Sequence, residues 1–200
     1  MQLAMFPLSL VLFPQGPLPL RIFETRYLDM VRRCMRESSD FGVLLIREGA
    51  EVGPATTVDV GTTAHIADFH QLADGLLGLS CVGRRRFRVL SRACQSDGLN
   101  VAEVSLLEEA PVQPVPARHA RLAELVRGVL PQLGEVYSNM ELQAEDAAWV
   151  GYRLAEILPI DNADKQRCLE IDDPVERLEY LAPLIRTAAS GSAPGSDSVN

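Results

Sequence analysis

Pro14 and Pro17, inside the apolar stretch of residues 8–27 (LSLVLFPQGPLPLRIFETRY), constrain this chain more than any other feature. Each fixes φ, removes a backbone donor and pushes the preceding residue towards extended conformations, so the apolar runs on either side cannot form one long helix. The reading is two short strands joined around the turn Phe13-Pro14-Gln15-Gly16-Pro17, then a helix that starts near Thr25. Apolar residues Leu3 to Phe13 have no basic residues ahead of them and are interrupted at Pro7 and Pro14. They form neither a signal peptide nor a membrane span, and the expected location is the cytoplasm.

Two hundred residues suffice for one large domain or two small ones with a buried core. The net charge of −8 works against generic attraction to nucleic acid or anionic membrane. Cys34, Cys81, Cys94 and Cys168 are widely spaced and contain no C-x-x-C, so buried reduced thiols are expected.

A composition shift divides the chain. Residues 1–110 carry β signals, residues 111–116 (PVQPVP) form a proline-rich connector, residues 117–188 carry helical periodicity, and residues 189–200 form a Gly/Ser/Pro/Asp-rich tail expected to be disordered. In the first part, Tyr27, Leu28, Val31, Cys34 and Met35 make the apolar stripe of one helix. Residues 41–46 (FGVLLI) read as a buried strand, residues 57–69 alternate, Asp74-Gly75 supplies a hairpin turn, and residues 76–90 and 99–107 complete the strands. Several strands around one helix predict a closed or half-closed barrel. In the second part helices are predicted over 118–133, 144–158, 162–171 and from Asp173-Pro174-Val175-Glu176 onwards. Pro183 is expected to kink or divide the last of them. The stiff connector and wide apolar stripes predict that both parts pack into one unit with Trp149 buried.

The residue pattern resembles the N-terminal, substrate-binding domain family of Lon proteases and its small free-standing bacterial relatives. The resemblance rests on the opening apolar run, the Phe-Pro turn, Leu18-Pro19-Leu20 and Ile22-Phe23-Glu24-Thr25-Arg26-Tyr27, with the turn glycine one residue later here, as Gln15-Gly16. It continues through Val60-Gly61-Thr62-Thr63-Ala64-His65-Ile66, Asp74-Gly75, Gly83 with Arg86-Phe87-Arg88-Val89, and Val101-Ala102-Glu103-Val104. Ile157-Leu158-Pro159-Ile160-Asp161, Lys165-Gln166, Leu169-Glu170 and Arg177-Leu178 extend it over residues 6–187. It implies an α+β fold: a PUA-like β pseudo-barrel with one helix, followed by a C-terminal helix bundle. It also implies a non-catalytic module that binds unfolded or peptide segments of other proteins, with a protease or ATPase as possible partner. Glu24, Arg26, Tyr27, Gly61, Asp74, Gly75, Gly83, Arg86 and Phe87 are then motif residues with structural roles. Full Lon proteases add an ATPase with a G-x-x-x-x-G-K-[ST] loop and a serine–lysine proteolytic domain, and no such glycine loop occurs in this sequence.

Catalytic chemistry finds little footing. His65, His70 and His119 have no cysteine at ligand spacing, which leaves no metal site, and no cofactor motif is present. No G-x-S-x-G occurs, and the single lysine, Lys165, lies on a short charged helix where a solvated surface role is expected. Two binding readings remain. One is a peptide groove around Phe13, Pro14, Leu20, Ile22 and Phe23, where apolar residues beside a proline turn stay partly exposed. The other is RNA binding by Arg84, Arg86 and Arg88, which share one face of a strand opposite Arg85, Phe87 and Val89. The acidic balance disfavours the second.

Overall fold

The computed structural model describes residues 1–51, 53, 55–138 and 140–190. Seven strands and one helix occupy the first part: β1 (Gln2–Leu8), β2 (Pro17–Ile22), α1 (Thr25–Glu37), β3 (Phe41–Gly49), β4 (Ala55–Thr57), β5 (Val60–Gln71), β6 (Leu77–Cys94) and β7 (Asn100–Leu106). The long strand β6 organises them. Along one edge it pairs antiparallel with β5, and along the other it pairs first with β2 (Pro17↔Val82 to Ile22↔Leu77) and then with β7 (Phe87↔Leu106 to Cys94↔Asn100). β3 joins β5, while β1 lies parallel to β3 and antiparallel to β7, so the pairing returns to its starting strand.

The opening differs from the expected pair of joined strands. β1 ends at Leu8, and β1 and β2 are not neighbours. The intervening residues dive inward, burying Val11, Leu12 and Phe13. The turn after them is pinned to β6: Gly16 N–H bonds Phe13 O at 2.9 Å, Gln15 N–H bonds Gly83 O at 2.7 Å, and Gly83 N–H bonds Gly16 O at 2.8 Å. This contact explains the glycine at 83, where a Cβ would stand 2.1 Å from the carbonyl oxygen of Phe13. Apolar sequence alone cannot tell a strand from a loop that is buried by folding over a sheet.

After β7 the chain runs without regular structure to a 3-10 turn at Ala117–His119, then α2 (Ala120–Val129), α3 (Glu135–Ser138), α4 (Ala147–Ile157), α5 (Asn162–Glu170) and α6 (Pro174–Ser190). The connector is tied down by Val115 N–H to Glu145 O at 3.0 Å and Ala147 N–H to Gln113 O at 2.8 Å. Asp146 caps α4, Asp161 caps α5, and Asp173 accepts from Val175 and Glu176 N–H at the start of α6. Pro183 does not divide α6, which continues to Ser190. Residues 191–200 of the expected tail lie outside the described residues.

Two apolar clusters result. In one, α1 lays Tyr27, Met30, Val31 and Cys34 against Phe6, Phe41 and Leu79, with the Phe6 and Tyr27 rings stacked at 4.2 Å. Met30 rather than Met35 completes that stripe; Met35 is exposed. The other joins both parts of the chain, combining Phe13, Leu45 and Phe87 with Val126, Trp149, Leu154 and Leu178. Trp149 is 3% exposed.

Candidate functional site

The joint between the two parts is held by buried arginines. On α4, Arg153 is 0% exposed, forms an ion pair with Glu156 at 3.0 Å, and donates through Nη2 to Pro14 O at 2.8 Å. Burial pushes the Glu156 carboxyl above the usual carboxylate range, against the opposing pull of Arg153 and Lys165. Burial and the nearby Glu156 carboxylate push the Tyr137 phenol up to about 12. Lys165 belongs to this cluster and is not a solvated surface lysine: its Nζ donates to Glu156 O at 2.9 Å, and burial lowers its pKa. Arg153 went unnoticed in the sequence, although it stands four residues after Trp149 and therefore on the same helix face.

Arg86 makes a second tie across the joint. It is 4% exposed and donates through Nη1 to Leu169 O at 2.8 Å and through Nη2 to Asp172 at 2.9 Å, linking β6 to the α5–α6 segment. A bulge in β6 puts Arg84 out of step with Arg86 and Arg88, which stay in regular register opposite Thr62 and Val60. Thr62 pairs with Arg86 and Ala64 with Gly83, so Arg84 and Arg85 together stand opposite Thr63, whose Oγ1 accepts from Arg85 N–H at 3.1 Å. Arg86 is covered by the α5–α6 segment, Arg84 and Arg88 stay exposed, and a row of three free cations does not form. Arg84 lies 3.6 Å from Asp40.

The remaining motif residues contact residues of their own chain, and Glu24 and Tyr27 also border the groove beside β2. Glu24 pairs with Arg26 at 2.8 Å, and Arg26 also donates to Gly98 O at 2.8 Å and lies over the Tyr27 ring. Gly61 pairs with Phe87 between β5 and β6, both buried. Asp74 accepts from Leu76 N–H at 3.1 Å and pairs with Arg21, while Gly75 has a φ of 84°, which a side chain would strain.

The groove residues separate into two sets. Phe13 is closed off from any ligand, whereas Ile22, though buried, lies in the wall of the groove that Leu20 and Phe23 line. Phe13 is clamped beneath the Pro14 turn and packs on the Tyr152 ring with centroids 5.8 Å apart, while Ile22 shares the inward face of β2 with Leu18. Pro14 is partly exposed but lies at the joint, away from the others. Leu20 and Phe23 do meet. With Phe6, Leu8, Leu10 and Tyr27 they line a groove of about 330 Å³, rimmed by Glu24 and Glu51. Phe23 is 57% exposed and Leu10 39%. Leu10 had no sequence signal as a groove residue, because its neighbours Val11 and Leu12 are equally apolar and buried. The outer edge of β2 itself is poor in donors. Pro17 and Pro19 lack N–H groups, and such prolines fit only with their nitrogens turned away from the paired strand.

Among the described residues no three His, Cys, Asp or Glu side chains gather as a metal site. His65 bonds Asp40 at 2.9 Å. Cys34, Cys81 and Cys168 are buried, but Cys94 is exposed near the end of β6, against the expectation for all four. No helix of the described residues is long and apolar enough to cross a membrane.

Comparison with known proteins agrees with this architecture. The sequence model of the ATP-dependent protease La (LON) substrate-binding domain matches residues 2–187. Cereblon of Xenopus tropicalis is 30% identical over 125 residues, covering 61% of this chain and 27% of that protein. Lon protease of Cytophaga hutchinsonii is 25% identical over 188 residues, covering 88% of this chain and 23% of that protein. The chain thus spans about a quarter of the length of these curated relatives. Among solved structures, a Lon N-terminal domain protein from Xanthomonas campestris is 40% identical with a TM-score of 0.77, covering 92% of this chain and 98% of that one. The N-terminal domain of a Mycobacterium avium complex Lon protease has a TM-score of 0.68 at 17% identity, covering 96% and 100%. That second likeness concerns the fold alone.

Proposed function

Because the chain belongs to the Lon substrate-binding domain family, we propose that it is a non-catalytic recognition module that holds unfolded or peptide segments of other proteins. In this reading the closed ring of strands is the PUA-like pseudo-barrel, and any unfolding or cleavage is performed by a separate ATPase or protease in the cytoplasm. The observation that carries the reading is the family match across both parts of the chain. The groove of Leu10, Leu20 and Phe23 supplies a place for it, since large apolar side chains left exposed together gain free energy when a partner covers them. Donor-poor β2 favours side-chain capture in the groove over strand addition. The RNA reading is left with Arg84 and Arg88 alone, separated by the buried Arg86.

The test is fluorescence anisotropy with a labelled, permanently unfolded polypeptide and a folded protein of matched size as control. Binding to the unfolded chain, lost when Leu10 and Phe23 are both replaced by serine in a protein with unchanged circular dichroism, is the expected result. Equal signals from the unfolded and folded probes remove the recognition claim.

A further inference from the structure

A second cavity, of about 600 Å³, opens at the joint between the Pro14–Gln15 turn, the β6 bulge and the start of α4. Trp149, Tyr152 and Arg177 line it, with Arg84 and Arg85 also in its wall. Arg177 is 1% exposed. Its Nε donates to Cys168 O at 2.8 Å, and its Nη2 donates to Tyr152 Oη at 3.1 Å and to Ile171 O. Among the described residues its Nη1 has no acceptor, and Asp172, the carboxylate that acts on it, is already paired with Arg86 at 2.9 Å. Trp149 Nε1 is likewise buried without an acceptor. Both residues line the cavity; the two unpartnered donor atoms are themselves buried, and one belongs to a cation whose bonds all end on uncharged oxygens. Buried charge is stable only when paired, and a buried donor without an acceptor forfeits its bond to water.

We infer that this cavity takes the free α-carboxylate at the end of a polypeptide. A carboxylate has two acceptor oxygens and the charge that Arg177 lacks opposite it. Arg84, Arg85, Arg86 and Arg177 line the cavity against Glu109 and Asp146, which leaves its wall an excess of positive charge, although Arg84 lies 3.6 Å from Asp40 and Arg85 3.8 Å from Glu109. Of the two acids in the wall, Asp146 accepts from Ala148 N–H at 3.1 Å and so occupies the N-terminus of α4, and Glu109 is exposed beside Arg85. An entering anion is thus directed to Arg177 rather than to the capped N-terminus of α4. Pro14, Val82 and the exposed Val112 give the same cavity an apolar flank, which suits the side chains preceding a terminal carboxylate and gives a small free anion nothing further to hold. Tyr152 is partly exposed and stacks 4.0 Å from the Arg177 guanidinium carbon, so its ring is the group that moves to admit the carboxylate to Nη1. This site is separate from the groove beside β2 and stands whether or not that groove binds chain segments.

Trp149 is the sole tryptophan and reports on the cavity directly. Its emission is followed while the full chain is titrated with an apolar hexapeptide bearing a free carboxylate, with the same peptide amidated, and with sodium acetate. The free-acid peptide is expected to shift the emission saturably, the amide to bind at least tenfold more weakly, and acetate to give no response at the same concentration. Arg84→Glu with Arg85→Glu, both surface changes, is expected to weaken the acid peptide about tenfold, and Arg177→Lys to do so while keeping the charge. If Arg177→Lys does not fold, the acid–amide pair and the surface double variant still decide. Equal affinity for acid and amide, an equal response to acetate, undiminished affinity in the double variant, or no response at millimolar acid peptide each overturns the assignment.

Discussion

At the joint, Arg86, Arg153 and Arg177 are buried, whereas at the groove beside β2, Leu10 and Phe23 lie in the open. Each region inverts the ordinary distribution of polar and apolar side chains, and such inversions carry more information than an exposed lysine or a buried leucine. The arginines at the joint end on backbone carbonyls of other segments: Pro14 for Arg153, Leu169 for Arg86, Cys168 for Arg177. Each bond is satisfied in one relative placement of strand, turn and helix, so the joint is rigid by construction. The groove instead keeps apolar surface uncovered, which adds nothing to folding and leaves free energy available for a partner. Changes at the joint should therefore read out in stability, and changes in the groove in binding.

The largest expected effect is Arg153→Ala. It strips Glu156 of its buried partner and Pro14 O of its donor, and should lower the unfolding free energy by roughly 3–5 kcal/mol in urea titration. A loss near zero would mean that the turn and α4 are held by apolar packing alone. Next comes Gly83→Ala, which drives a methyl against the Phe13 carbonyl and should cost roughly 1–3 kcal/mol, since backbone on both sides must shift. Unchanged stability there would show that the Pro14 turn lifts off β6 easily.

The pH dependence of the joint follows from Glu156. Its folded pKa lies above its unfolded value, so the folded state binds more protons between the two, and stability falls as pH rises through that window. The unfolding free energy of the wild type relative to Glu156→Gln should decline as pH is raised from the unfolded carboxylate range through the raised folded pKa. A difference that grows with pH would reverse the assigned direction. The smallest stability change belongs to the groove: Phe23→Ser should stay within about 0.5 kcal/mol while weakening capture of unfolded chain. A large stability loss would turn Phe23 into a core residue and dissolve the contrast between the two regions.

Local patterns were legible where local physics decides. The stripe of α1, the Asp173-Pro174-Val175-Glu176 start of α6 and the Asp74-Gly75 turn each depend on residues within a few positions of one another. The apolar character of residues 8–13 was equally plain, but not that Leu10 faces outward while Phe13 is closed over, because the fold of that loop is set by Gly83, far along the chain. The same limit misplaced Arg86. Arg86 keeps the strand phase of the exposed Arg88, and its burial comes from the α5–α6 segment that closes over it, with Leu169 lying 83 residues along the chain.

By itself the sequence determined the family and most element types and their order, the buried loop of residues 9–13 and the short β4 and α3 excepted, because periodicity, caps, turn residues and motif spacing are written in consecutive positions. Tertiary structure alone decided which arginines became buried ties, which apolar side chains stayed outside and which donors were left without acceptors. Those outcomes depend on which distant segment covers which surface. Burial, the quantity that turns an arginine into a joint or a phenylalanine into a docking surface, is a sum over neighbours that only the folded chain brings together.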